Sequence, residues 1–73
     1  MAQLTHEDYD HLERAVTRGL RISVYRRGTE YVVIPLALES KDGREMIQAR
    51  NPTTGDRLSL FLDELDAIEP LGT

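Results

Sequence analysis

Apolar positions along the chain follow one period at the start and another afterwards. Tyr9, Leu12, Ala15 and Val16 fall at i, i+3, i+6 and i+7, which draws a single apolar stripe on a helix over about residues 5–18. Thr5 suits its N-cap, and Asp8 three residues on can close a shortened capping box. Leu4 and Tyr9 have the spacing of a hydrophobic staple, Glu7, Asp8 and Asp10 suit the positive N-terminal dipole, and Gly19 supplies a left-handed stop. After Gly19 the period becomes two. Leu20, Ile22 and Val24 alternate with Arg21, Ser23 and Tyr25 as a half-buried strand. Arg27-Gly28-Thr29 makes a tight turn into a second strand, residues 31–38, where Pro35 imposes a bend, bulge or edge. Ser40-Lys41-Asp42-Gly43 is a hairpin turn, residues 44–50 a third strand, and residues 51–56 a loop. Leu58, Leu60 and Leu62 alternate as a fourth strand. Asp63-Glu64-Leu65 fits one 3₁₀ turn, residues 66–69 a short fifth strand, and residues 70–73 a frayed tail.

One helix followed by five short antiparallel strands, with a one-turn break before the last, predicts a mainly β, α+β domain. The order is that of a five-stranded SH3-like small barrel, in the Sm-like variant with an N-terminal helix. Closure of a bent sheet removes most free edges, and the helix stripe would cap one open end. Residues 31–38 are apolar on both faces, with Val32, Ile34, Leu36 and Leu38 on one and Tyr31, Val33 and Ala37 on the other. The outer set is expected beneath the helix or at an interface.

Composition sharpens this picture. The chain has 73 residues, enough for one small domain, or part of one, with no room for a second. No cysteine is present, which excludes disulfides and thiolate metal sites and fits a reducing compartment, the cytoplasm. Neither the start Met1-Ala2-Gln3 nor any apolar run suggests a signal peptide or a membrane span. The formal net charge is −4, distributed as −2 over residues 1–19, +2 over residues 20–57 and −4 from residue 58 on. Two acidic ends around a mildly basic middle suit a protein partner with a basic surface better than a phosphate backbone. A monomer or weak homodimer is expected.

No catalytic constellation stands out. His6 and His11 are five apart, so they diverge on a helix and make no metal pair. Asp63, Glu64, Asp66 and Glu69 could form a carboxylate pair only inside a pocket that separates their pKa values, and they read as solvated charge or a partner face. There is no Ser-His-Asp order or phosphate loop, so neither an enzyme nor a cofactor is expected. Arg26, Arg27, Arg44, Arg50 and Arg57 are the nucleic-acid candidates, with Tyr25 and Tyr31 as stacking rings.

Two resemblances follow from these residues. Asp8-Tyr9-Asp10-His11-Leu12-Glu13-Arg14-Ala15 resembles the helix of the Rof family, small modulators of the transcription terminator Rho. Leu60-Phe61-Leu62-Asp63-Glu64-Leu65 is similar to that family's close before the last strand. The likeness implies a non-enzymatic regulator of bacterial transcription that docks on Rho, or on another basic surface such as an RNA polymerase component, and blocks termination. Its contacts would map onto Tyr9, Asp10 and Glu13, with Asp63 and Glu64 as further acids. His6 stands in place of the family's cysteine, and Phe61 and Glu64 replace its basic residues. The second resemblance runs from Val24-Tyr25 through Ile34-Pro35-Leu36-Ala37-Leu38 to Asp42-Gly43-Arg44 and is to WYL domains of bacterial transcription regulators. It implies an Sm-like barrel that senses nucleic acid or nucleotide-type ligands. Glu45-Met46-Ile47 stands where the aromatic-aromatic-leucine signature would be, and the late arginines are reduced to Arg57, with Glu64 where a base is usual. Sm-like RNA rings are a third analogy, of fold alone.

Overall fold

The computed structural model describes residues 4–71; Met1-Ala2-Gln3 and the last two positions of the expected tail lie outside the described residues. The helix α1 is His6–Arg18. Thr5 accepts from the Asp8 amide at 3.2 Å and Asp8 accepts from the Thr5 amide at 2.9 Å, so the capping box forms as its spacing requires. Gly19 closes the helix at φ 65°, a left-handed conformation that suits a residue without Cβ. Leu12 and Ala15 are buried, and Leu4, Tyr9 and Val16 pack on the core at the margins.

Five strands follow: β1 Ile22–Arg26, β2 Thr29–Lys41, β3 Arg44–Arg50, β4 Arg57–Phe61 and β5 Ala67–Pro70. Every pairing is antiparallel, in the order β4-β3-β2-β1-β5. The long strand β2 serves two ladders: Thr29 to Val33 pair with β1, and Ile34 to Lys41 pair with β3. The β1–β2 turn sets Arg27 at φ 52° and Gly28 at φ 78°, and the β2–β3 turn sets Asp42 at φ 53° and Gly43 at φ 77°. Positive φ at both central positions matches the right-handed twist of the flanking strands. With α1 against β2 and β5, the whole is the expected α+β small barrel-like fold.

Strand boundaries differ from the pattern at the ends. The 3₁₀ turn is Leu62–Glu64 rather than 63–65, because Leu62 leaves β4 and is buried there in the core. Pro70, expected in the tail, pairs with Ile22, and the Leu71 amide donates to the Arg21 carbonyl at 3.4 Å. Ser23, expected on a solvent face, is wholly buried, and its hydroxyl donates to the Glu30 carboxylate.

The larger correction concerns β2. Register shifts between Pro35 and Ala37, so Leu36 is an extra residue in the ladder. Proline has no amide hydrogen to give, and the bulge falls next to it. Alternation therefore breaks. Leu38 stands opposite the buried Ile47 and so shares its side of the ladder, while staying exposed near the strand end; Ile34 stands opposite the exposed Arg50, so Val32, Ile34, Leu36 and Leu38 do not form one face. The helix does not cover them as expected: Val32 and Leu36 are each 39% exposed and Leu38 37%.

Candidate functional site

Asp63 and Glu64 ride on the 3₁₀ turn, between the ends of β4 and β5, and two arginines converge there. Arg44 opens β3 directly after the hairpin. Its Nε donates to Asp63 Oδ2 at 2.9 Å and its Nη2 to Asp63 Oδ1 at 2.7 Å, a bidentate fork. The same Nη2 reaches Glu64 Oε2 at 3.4 Å, and Arg26, at the end of β1, sits 3.7 Å from Glu64 Oε1. The Arg44 guanidinium also lies over the Phe61 ring, 3.7 Å from its centroid, and Arg26 lies 5.2 Å from that of Tyr31. The Arg44 hydrogen bonds hold the Asp63 carboxyl below its usual range, and Asp63 in turn raises Arg44. Asp63, still exposed to solvent, and Glu64 are thus members of an ion-paired cluster. Arg26 and Arg44 spend their charge in the same place.

The helix acids behave differently. Asp10 and Glu13 are exposed on the outer side of α1, and the His6 Nε2 lies 4.0 Å from Asp10 Oδ2. Tyr9 is half-buried against the core, and its hydroxyl donates at the surface to the exposed Glu45 Oε1 at 3.0 Å, a bond that holds its pKa above the ordinary tyrosine value. The structure therefore separates the five acidic-site candidates into an open helix pair, a tyrosine bonded to Glu45 and an ion-paired turn.

Among the arginines, Arg27, Arg50 and Arg57 are exposed and make no ion pair among the described residues. Arg50 and Arg57 face each other across the β3–β4 ladder, and Ile34 stands on the other side of Arg50. Directly opposed residues share a face, and like charges so placed repel. Arg27 occupies the β1–β2 turn, beside a hollow of about 400 Å³ lined by Arg26, Arg27, Thr29, Tyr31 and Glu64. A groove of about 510 Å³ runs past Arg21, β2 and the loop that follows β3.

Sequence reasoning missed Arg21, whose alternation with Ile22 marked it only as an outward strand residue. It also missed the Ser23–Glu30–Tyr25 cluster. The Tyr25 hydroxyl reaches Glu30 Oε2 at 3.4 Å, and desolvation, with Glu30 and Glu69 adding negative charge, raises its pKa. Nothing in one-dimensional alternation signals that an outward serine will be roofed over. Among the described residues no three His, Cys, Asp or Glu side chains converge as a metal site, and no helix is long and apolar enough to cross a membrane.

No family model and no curated protein matches the sequence. The fold defines a class, a small barrel-like α+β fold with one N-terminal helix, and that class is found in solved structures. The chain superposes with a TM-score of 0.76 on part of Proteasome accessory factor B/C (PafBC) of Arthrobacter aurescens, at 22% identity. The match covers 100% of this chain and 13% of that one, so this chain corresponds to a small portion of the larger protein. At such identity the likeness describes the fold.

Proposed function

We propose that this chain is a non-enzymatic binding module of the WYL type, sensing single-stranded nucleic acid or a nucleotide in a bacterial transcription regulator. The fold match favours the WYL resemblance over the Rof one. The carrying observation is the opposed pair Arg50 and Arg57, exposed, without a carboxylate partner among the described residues. An arrangement that repels internally is relieved by a bridging anion, and a phosphodiester supplies one between two guanidiniums. Arg27, at the β1–β2 turn, is a further exposed cation that no carboxylate pairs among the described residues. Arg26 and Arg44 are left out of the contact set, because Glu64 and Asp63 already neutralise them.

The experiment is a fluorescence-anisotropy titration with a labelled twelve-nucleotide oligo-dT at low salt. Binding by the native chain, and its loss in Arg50→Glu/Arg57→Glu, supports the reading. Equal binding by native and doubly reversed chains removes these residues from the site, and a flat native curve removes nucleic acid.

A second reading, docking on Rho or another basic protein surface, rests on the exposure of Asp10 and Glu13. Tyr9 contributes less to it, since its hydroxyl is bonded to Glu45. A pull-down with purified Rho that retains the native chain but not Asp10→Lys/Glu13→Lys supports this reading; retention of neither, or of both, counts against it.

A further inference from the structure

β2 lies between β3 and β1, yet each neighbour pairs with a different half of it. The ladder with β3 begins at Ile34, so residues 30–33 have no strand on that side. β3 stops there for local reasons. Pro52 brings no amide hydrogen, and Asn51 folds the loop onto itself. Its amide donates to the Asp56 carbonyl at 2.8 Å, its carbonyl accepts from Gly55 at 2.8 Å, and its side chain accepts from Thr53 at 2.8 Å. The loop thus satisfies its own polar groups and makes no backbone hydrogen bond to residues 30–33 among the described residues. Between them lies the groove of about 510 Å³, with Leu58 at its border.

We propose that this groove receives an extended acidic peptide segment, added as a strand beside residues 30–33 of β2 in the line that β3 vacates. The open strand edge offers backbone donors and acceptors at strand spacing. Val32 is exposed, and Tyr31 and Leu58 are half-buried, so apolar side chains at alternate peptide positions find contact. Charge selects the peptide's sign. Arg21 lines the groove and Arg50 ends β3 opposite Ile34, both exposed and free of ion pairs among the described residues. Glu30 is the acid in the groove lining, and its carboxylate is held by the Ser23 and Tyr25 hydroxyls. A second copy of this chain fits poorly, since edge-to-edge pairing would bring the same arginines together.

The test is an amide-resolved NMR titration of the full chain with an acetylated, amidated hexapeptide of alternating glutamate and valine. Its controls are the lysine–valine peptide, and the glutamate–valine peptide N-methylated at alternate residues. Saturable shifts confined to the amides of residues 30–33, Asn51, Thr53 and Thr54 are expected, weakened about tenfold or more by N-methylation and by Arg21→Glu. The methylated peptide leaves the protein untouched, so its result does not depend on a variant folding. Absence of saturable shifts at millimolar peptide overturns the proposal, as does equal affinity for either control peptide. Oligo-dT that binds the same amides more tightly than the peptide assigns the groove to nucleic acid and overturns it as well.

Discussion

Glu64 sits within 4 Å of two arginines from two different strands, and that placement governs which charges remain free. Each ion pair here is part-exposed, so its contribution to stability is modest, and its chief effect is to remove charge from the surface available to a ligand. The Asp63–Arg44 fork has a measurable signature. Asp63 titrates below its usual value in the folded chain, so the stability it adds is present above its unfolded pKa and fades as pH falls through the folded one. The Asp63 carboxyl carbon, followed by NMR, is expected to titrate below about 3.9, and Arg44→Ala should bring it back toward that value. The Tm difference between native chain and Asp63→Asn is then largest near neutral pH and shrinks below about pH 4. At Ser23, alanine substitution removes a buried hydroxyl from the Glu30 carboxylate and is expected to cost about 1–2 kcal/mol in urea unfolding.

At the scale of elements, the helix was the most readable part, because cap, stripe and stop are all local signals. Thr5, Leu12 and Gly19 do what their spacing implies. Leu12 is fully buried, and Leu12→Ala is expected to lower unfolding free energy by about 2–5 kcal/mol, read from the urea midpoint. Gly43, at φ 77° with open space around it, makes a cleaner probe of turn geometry. Gly43→Ala meets no clash, so its expected cost of about 1–2 kcal/mol is conformational alone. β2 was less readable. Its composition announced a strand and Pro35 announced an irregularity, but the side on which the bulged Leu36 would leave its neighbours depends on the pairing partner. Two partners share β2, and that division is set by long-range ladders. The same limit hid the ion-paired cluster, since Arg44 and Asp63 are nineteen residues apart and meet only after β3, β4 and the 3₁₀ turn are in place.

Taken whole, the molecule carries a net charge of −4 and still leaves cations exposed on the outer side of its sheet. Net charge predicted an acid-presenting protein. The folded arrangement redistributes the balance, because the acids of the 3₁₀ turn are matched by Arg26 and Arg44 while Arg27, Arg50 and Arg57 have no acidic partner among the described residues. Glu7, Asp10 and Glu13 remain exposed on α1, so cationic and anionic surfaces coexist on one small barrel-like fold. Salt dependence separates them most directly. Oligo-dT affinity measured between 20 and 200 mM KCl is expected to fall with a log–log slope of about −1.4 to −2.1, the value for two to three phosphates neutralised on a single strand. That slope should flatten in Arg50→Glu/Arg57→Glu. A native chain with no oligo-dT affinity at the lowest salt, or with an affinity that ignores salt, contradicts the arginine-based reading of this fold.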